Sequence, residues 1–490
     1  MIAAIGALLG TVACLQGCSS DCMFDKTCAS SDGGDGSADG PNDAGGDAAC
    51  DPKTQMCVLD GIFVSAAGKP DGAGTKTDPI SVITNALAKA KMTAKTNIYV
   101  CEGSYPGSID IVDLIAINGG FKCADWSYTG ARPTIQADKP AYAAKVTASN
   151  VTLTDLVFAG KDGSAKGESS VGLFASSVQG LLFRRVRVEA GKGAAGDNGT
   201  LTPNYIGSLM PDDVKIAGLN ATGINGGGAQ QCNQAVCVDG AMTTGGSGGQ
   251  GTLAPANGGA GTPNLGGMAP KDGAGGTAAL GCGGGQAGHD GANGDAGAPA
   301  PAATVLGVLD ASGWKPANGP SGVNGHIAQG GGGGGGGVSM NNGGGGGGGC
   351  GGCGGAGGAG GQGGGASIAL LSRSSIIKLE ASELKSSDAG AGGAGIAGQA
   401  GQIGGAGGTQ ASLGCPGGQG GTGGVGGSSG GGAGGVSAGV VLKGAMNDLV
   451  LDSMTTSAIM LGMKGAKGAG GQSPTNDGPD GTATPIYVVQ

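Results

Sequence analysis

Four acidic residues in or near apolar stretches are the first candidates for catalytic chemistry: Asp110, Asp113, Asp155 and Asp452. Cleavage of a glycosidic bond by acid–base catalysis requires two carboxylates about 5 to 10 Å apart. These acids occur singly, and long insertions separate Asp155 from Asp452 although the two lie at similar points of related segments. The sequence therefore favours structural roles for these acids and predicts no catalytic residue.

Cys350-Gly-Gly-Cys353 has the spacing of half a zinc site or of a redox pair. A structural zinc site needs four grouped ligands, and Cys282 and Cys415 could join this pair only if the chain folds back. Disulfides are favoured over a metal, so no metal and no cofactor are predicted. The two histidines, which lie in glycine-rich segments, add no recognisable motif: His289 and His326.

Three arginines, Arg184, Arg185 and Arg187, make the one dense basic cluster of the sequence. Such a cluster could contact an acidic polysaccharide, but a solvated strand face is the favoured interpretation. The net charge of −9 gives no reason to expect nucleic acid as a partner.

The pattern of the N-terminal residues predicts an export signal. Residues 1–15 form an apolar stretch of signal-peptide length, too short to span a bilayer. The segment Gln16-Gly17-Cys18-Ser19 follows and resembles the lipobox of bacterial lipoproteins. This resemblance implies cleavage before Cys18, acylation of that residue and stable membrane anchoring. Because Ser19 is not a retention signal of the aspartate type, the resemblance favours the outer membrane.

Cysteine usage agrees with an oxidising compartment. Cys14 of the leader and Cys18 leave twelve of the 14 cysteines, an even number. Three of the possible pairs would close small loops: Cys22 with Cys28, Cys50 with Cys57, and Cys232 with Cys237. The acidic stretch 31–50, which has no apolar residue larger than alanine before its cysteine, indicates a flexible tether.

Short apolar strands recur from residue 62 onward and indicate a repeated unit. The early ones are 62–64, 98–100, 108–111 and 114–117, with a helix predicted to open at Asp78-Pro79 and to use Ile80, Ile83 and Leu87. The later units pair a short strand with a longer one: 144–146 with 151–158, 171–175 with 181–188, 368–371 with 376–382, and 439–442 with 449–454. A unit of about 20 to 30 residues that cannot bury its own apolar face predicts a parallel β-helix.

The segment IFVSAAGKPDGAGTKTDPISVITNALAKAK, followed by NIYVCEGSYPGSIDIVDLIAINGGF, resembles the pectin-lyase-like right-handed β-helix superfamily. Glycine-rich lipoproteins of myxobacteria are similar. The resemblance implies an all-β solenoid whose neighbouring coils would stack Cys101 on Cys123, within disulfide reach.

Glycine makes up 119 of 490 residues, which excludes one conventional core through the whole chain. Glycines recur every third residue, the repeat of a polyproline-II helix, in five rows: Gly285–Gly297, Gly351–Gly363, Gly392–Gly407, Gly417–Gly426 and Gly462–Gly471. We predict antiparallel polyglycine-II hairpins that leave the same edge of successive coils, with disorder as the alternative.

These observations predict the following organisation: signal peptide 1–17, tether 18–59, N-terminal coils with a capping helix 60–190, glycine-rich insertion 191–365, coil 366–388, glycine-rich insertion 389–435, coil 436–461 and glycine-rich segment 462–490. The expected function is that of a non-enzymatic lipoprotein of the cell surface with a structural, adhesive or polysaccharide-binding role, and the periplasmic face of the outer membrane is the alternative location. The alternative is a polysaccharide lyase or glycoside hydrolase.

Overall fold

The computed structural model describes residues 60–205, 207, 209–232 and 236–489. The predicted leader and tether lie outside these residues, together with the lipidation candidate Cys18 and the disulfide candidates Cys22, Cys28, Cys50 and Cys57.

Strands dominate the N-terminal part. Its elements are β1 (Ile62–Lys69), α1 (Ile83–Met92), β2 (Asn97–Cys101), β3 (Ser104–Pro106), β4 (Ile109–Ile111), β5 (Ala116–Phe121), β6 (Tyr128–Ala131), β7 (Thr134–Gln136), β8 (Ala144–Val146), β9 (Val151–Thr154), β10 (Val157–Ala159), β11 (Ser170–Ser176), β12 (Gln179–Arg184) and β13 (Arg187–Glu189).

The remaining elements are spread more widely along the chain. They are β14 (Gln231–Cys232), β15 (Thr243–Thr244), β16 (Gly307–Asp310), β17 (Gly313–Pro316), β18 (Ser367–Arg373), β19 (Ile376–Glu380), β20 (Glu383–Lys385), β21 (Ser437–Lys443), a 3-10 turn (Met446–Asp448), β22 (Leu449–Leu451), α2 (Ser453–Ser457), β23 (Ile459–Met460) and β24 (Ala483–Val488).

Three parallel sheets organise the described chain. The first sheet has the order β1-β2-β5-β9-β12-β19-β22, with β6 antiparallel to β5. The second has the order β3-β7-β10-β13-β20-β23, and the third β4-β8-β11-β18-β21-β24. From β2 onward the chain visits the first, second and third sheets in turn, apart from β6 and the two hairpins β14–β15 and β16–β17. The abundance of strands and the parallel pairing agree with the predicted all-β class.

The predicted long strands are each divided by a corner. The segment 151–158 splits into β9 and β10 because Asp155 has a φ of 52°. Arg185 and Ala381 occupy the same corner in the next two repeats, with φ values of 53° and 47°. In the last repeat Asp452 instead starts α2 as its N-cap. A left-handed residue turns the chain sharply between two sheets, which a pattern of apolar residues does not reveal.

The predicted helix begins later than its proline suggested. Pro79 and Ile80 are extended, because Lys69 donates its amide to the Pro79 carbonyl and Ile80 bridges to Val64 and Lys69. The helix α1 starts at Ile83 and buries Ile83, Ala86 and Ala90 against the first strands.

One continuous apolar core lies between the three sheets and includes Ile98, Ile117, Leu153, Phe158 and Phe183. Alternate residues of the third sheet face the other way and form a second cluster under the hairpin β16–β17. The core is therefore supplied by strands and α1, while the glycine-rich segments contribute little to it.

The glycine-rich insertions all leave the sheets at one corner, between a second-sheet strand and the next third-sheet strand. They span residues 190–366, 386–436 and 461–482, and we call them together the glycine bundle. Their segments run back and forth beside one another. For example, Gly390 bonds to Gly365, Gly393 to Gln362, Gln402 to Cys353 and Gly408 to Gly347, so the paired segments are antiparallel.

The run Gly330–Gly337 lies at the centre of the glycine bundle and is buried. Its amides donate to three neighbouring segments, and its carbonyls accept from three others. Every third residue of the run bonds to the same neighbouring segment. The acceptors lie in 256–262, 286–289 and 343–349, and the donors lie in 246–249, 276–279 and 415–418. Such bonding satisfies buried main-chain groups without any side chain.

Close approach is what excludes side chains from this run. A Cβ added at Gly333 would overlap the carbonyl group of Ser247, and one added at Gly334 would overlap that of Cys415. Because main-chain atoms cannot move aside as a flexible side chain can, the whole neighbouring segment would have to shift.

We predict that Gly333→Ala lowers the free energy of unfolding by about 1 to 3 kcal/mol, the usual cost of overpacking. The matched control is Gly283→Ala, since a Cβ at Gly283 meets nothing within 4 Å. Thermal unfolding followed by circular dichroism compares the two. Equal melting temperatures would contradict the tight packing described here.

Candidate binding sites

Asp155 is buried and fully engaged at the corner after β9. The Arg185 guanidinium donates to it twice, from Nε to Oδ1 and from Nη2 to Oδ2, each at 2.8 Å. Tyr128 donates its hydroxyl to Oδ2 at 2.8 Å. Burial and the bond to Asp155 raise the pKa of Tyr128, and the same carboxylate raises the pKa of Arg185. These contacts join three strand repeats rather than prepare an acid for catalysis.

The other predicted acids also have structural partners. Asp452 accepts from the amides of Thr455 and Ala381 at 2.7 and 2.8 Å. Burial opposes its ionisation, but these bonds hold the pKa of Asp452 below its usual value. Asp113 pairs with Lys91 at 3.0 Å. Burial, followed by the charge of nearby Asp110, raises the pKa of Tyr142. Asp110 and Asp113 line one groove of about 630 Å³ beside α1, together with Lys91 and Lys95, whereas Asp155 and Asp452 lie at separate corners.

The predicted arginine cluster borders a groove of about 470 Å³ lined by Arg184, Arg185, Lys378, Glu380 and Asp452. Its positive charge is balanced locally. Arg184 and Lys378 lie 2.9 and 3.1 Å from the carboxylate of Glu380. Arg187 contacts Glu189 and Glu383. This balance agrees with the strand-face interpretation and gives no support to an acidic-polysaccharide contact here.

Four disulfides lie within the described residues. Cys101 is joined to Cys123, which is the pair that the resemblance implied. The expectation that Cys232 and Cys237 close a small loop is wrong, because Cys232 binds Cys350 and Cys237 binds Cys353. The fourth bond joins Cys282 to Cys415 by the folding back that the sequence left open.

The last three disulfides all connect separate segments of the glycine bundle. They cross-link a region whose interior is made of main chain rather than apolar side chains. Closing loops of more than a hundred residues restricts the unfolded chain strongly.

His289 bonds through Nδ1 to Asp272 at 2.6 Å, and this bond is the main cause of the lowered pKa of Asp272. His326 belongs to another segment of the glycine bundle, where its main-chain amide donates to the main-chain carbonyl of Asp295. In the described part of the chain, no group of three His, Cys, Asp or Glu side chains could hold a metal ion.

A cleft of about 380 Å³ lies between the hairpin β16–β17, the outer face of the third sheet and residues 141–142 and 167–169. We call it the aromatic cleft. Its apolar lining includes Tyr142, Phe174, Trp314 and Leu371, and its polar lining includes Glu168, Lys315, Asn318 and Gln362.

The hairpin places Trp314 against the third sheet. Trp314 is only 8% exposed and packs edge-to-face on Tyr487, with ring centroids 6.1 Å apart. Its Nε1 atom is buried and finds no hydrogen-bond acceptor among the described residues. A buried donor without an acceptor lowers the free energy of unfolding. Trp314 therefore differs from the other members of its apolar cluster, which carry no such unpaired donor in their side chains.

The polar side of the aromatic cleft is held in place by main-chain bonds. Glu168 accepts from the amides of Ser164 and Ala165 at 2.8 and 2.9 Å. The bond from Ala165, followed by that from Ser164, lowers the pKa of Glu168. Asn318 accepts from the amide of Gly363 at 2.9 Å. The cleft therefore combines an apolar floor with fixed polar groups.

Sequence reasoning did not find the aromatic cleft. The sequence feature that could have indicated it is the short apolar stretch GVLDASGWKP inside a glycine-rich insertion. This stretch contains Trp314, one of the two tryptophans of the chain. That stretch breaks the three-residue glycine step and contains the Asp-Ala-Ser-Gly sequence of a hairpin turn.

Comparison with known proteins gives no relative. No protein-family model, no curated protein and no solved structure matches this chain. None of the helices within the described residues is long and apolar enough to cross a membrane.

We predict that Asp155→Asn lowers the free energy of unfolding by about 3 kcal/mol, because the Arg185 charge loses its partner in a largely buried site. Glu380→Gln removes a more exposed pair and should cost about 1 kcal/mol or less. Urea unfolding of both variants measures the difference. A smaller cost for Asp155→Asn than for Glu380→Gln would contradict the central role of this corner.

Proposed function

We propose that this chain is a non-enzymatic lipoprotein of the bacterial outer membrane, displayed at the cell surface, with a structural or adhesive role that includes binding of extracellular polysaccharide. Its scaffold would be a right-handed parallel β-helix from which polyglycine-II-like segments project. The aromatic cleft is the observation that carries the binding function.

The order of the strands supports the β-helix. Successive repeats add one parallel strand to each of the three sheets, and the paired strands keep their register, as in Leu153 beside Phe183 and Phe183 beside Leu379. Stacking of this kind lets each repeat bury the apolar face of its neighbour.

The hydrogen bonds of the glycine bundle support the polyglycine-II arrangement. A helix with three residues per turn points successive amides in three directions. The amides of Gly330, Gly331 and Gly332 bond to three different segments, and the next three residues bond to the same three.

The composition of the aromatic cleft fits a sugar ring. A pyranose has an apolar face of C–H groups and an edge of hydroxyl groups, so it suits a site with aromatic rings and a few fixed polar groups. Tyr142 and Trp314 supply the aromatic part, while Glu168, Asn318 and Gln362 supply hydrogen-bonding groups. The volume of about 380 Å³ suits one or two sugar units.

The positions of the acids support binding without cleavage. Asp155 and Asp452 are committed to Arg185 and to α2, and Asp113, which shares a groove with Asp110, pairs with Lys91. A hydrolase or lyase would need such groups grouped around its substrate.

The cleft is tested by fluorescence titration with neutral and acidic oligosaccharides in a Trp126→Phe background, which leaves Trp314 as the single tryptophan. We predict a saturable change in emission and a loss of affinity of about tenfold or more in Tyr142→Ala. Tyr205→Ala, a half-buried tyrosine of the glycine bundle, is the matched control. No response to any oligosaccharide, or an equal loss in the control, would contradict the proposal.

The location is tested by protease treatment of intact cells. We predict that the wild-type protein is digested and that Cys18→Ser is released from membranes, because it lacks the acyl chains. Protection of the wild-type protein in intact cells, together with its digestion in lysed cells, would place it facing the periplasm and rule out the surface assignment.

A further inference from the structure

Five turns of the described chain meet at the end of the glycine bundle that lies farthest from the sheets. The main-chain hydrogen bonds of the segment 343–365 begin at Gly365, beside the third sheet, and continue to Gly343. The five turns join neighbouring segments at the Gly343 end. We call them together the distal face: residues 222–225, 252–255, 279–284, 338–342 and 409–414.

The distal face displays apolar side chains and no charge. Four of its turns carry one large exposed apolar residue each, namely Leu253, Leu280, Met340 and Leu413, and Ile224 of the fifth is half-buried. Leu280, Met340 and Leu253 are 83%, 73% and 68% exposed. The five turns contain no Asp, Glu, Lys, Arg or His, although the chain carries a net charge of −9.

Other loops of the glycine bundle differ in this respect. Met268 is also exposed, but Lys271 and Asp272 stand in the same loop. Val238 and Met242 flank Asp239. The absence of charge is therefore a property of the distal face and does not extend to every exposed loop.

Main-chain bonds fix these turns to one another. Gly251 donates to Ile224 at 2.8 Å, Ser339 to Thr252 at 3.3 Å and Val338 to Ala279 at 3.0 Å. The disulfide between Cys282 and Cys415 adds a covalent link between the turn 279–284 and the residue that follows the turn 409–414. The apolar side chains are consequently presented together on a rigid support.

We infer that the distal face inserts its apolar side chains into the interfacial region of a lipid bilayer. Single apolar side chains at the tips of turns suit a fluid apolar surface, whereas a folded partner would require a continuous complementary patch. The shallow groove between Ile224, Leu253 and Met340 holds only about 380 Å³.

The chemistry of the turns argues for attraction by apolar contact alone. Without a cationic side chain the face gains nothing from anionic headgroups. Without an aromatic residue it lacks the rings that the aromatic cleft offers to a sugar. Ser339, Asn341 and Gln410 can donate to headgroup oxygens around the inserted side chains.

This inference is independent of saccharide binding, because the aromatic cleft lies at the other end of the glycine bundle, against the third sheet. A protein anchored through its N-terminus could then contact a bilayer at a second point. The anchor would hold the distal face close to the membrane at a high effective concentration, so that even a weak second contact would form.

The test is co-sedimentation of the full chain carrying Cys18→Ser, which removes the anchor, with phosphatidylcholine vesicles. We expect binding that is unchanged by added phosphatidylserine or by raising salt from about 0.1 to about 1 M. The combined variant Leu253→Asn, Leu280→Asn and Met340→Asn should bind at least about a hundredfold more weakly, given about tenfold per buried side chain.

The matched control combines Val238→Asn, Met242→Asn and Met268→Asn, which alter exposed apolar residues away from the distal face. It should bind vesicles as the parent does. Thermal unfolding followed by circular dichroism shows that both triple variants are folded, so the test does not depend on saccharide binding by the cleft. Absence of vesicle binding by the parent, equal binding by the distal variant, equal loss in the control, or a self-association that the distal variant abolishes would each overturn the inference.

Discussion

The glycine bundle depends on the distance between neighbouring main chains. Amides and carbonyls of adjacent segments bond directly, which is possible only where no Cβ stands between them, as around Gly333 and Gly348. The buried polar groups are thereby satisfied, but almost no apolar surface is gained, and glycine loses more conformational freedom on ordering than any other residue. Stability must come from the number of hydrogen bonds, from cross-links and from a firm foundation.

The three sheets provide that foundation. Each insertion starts and ends on strands of the same core, so both of its ends are fixed there. The three disulfides within the bundle then join segments far from the sheets, Cys232 to Cys350, Cys237 to Cys353 and Cys282 to Cys415. The two regions thus have different roles, since the apolar core sets the spacing of the segments and the hydrogen bonds maintain it.

Much of this arrangement could be predicted from the sequence, because its two periodicities report local geometry directly. The recurring apolar strands and the three-residue glycine step gave the positions of β8, β11, β18 and β21 and the alternation of strand repeats with insertions. The corners could not be found in the same way, since Asp155, Arg185 and Ala381 share a left-handed φ but no residue type. The partners of the cysteines and the packing of Trp314 depend on which distant segments become neighbours, and no local pattern specifies that.

The three-residue step also restricts how such a chain can change in length. In Gly330–Gly337 each residue faces a different neighbour from the residue before it, and the same neighbour returns only after three positions. Deleting one residue would rotate the rest of the segment by a third of a turn and mismatch its bonds to all six neighbours. Segments of the bundle can therefore lengthen or shorten only by multiples of three residues, and the segment bonded to them must change in length by the same amount. The height of the distal face above the sheets is in this sense counted in units of three residues.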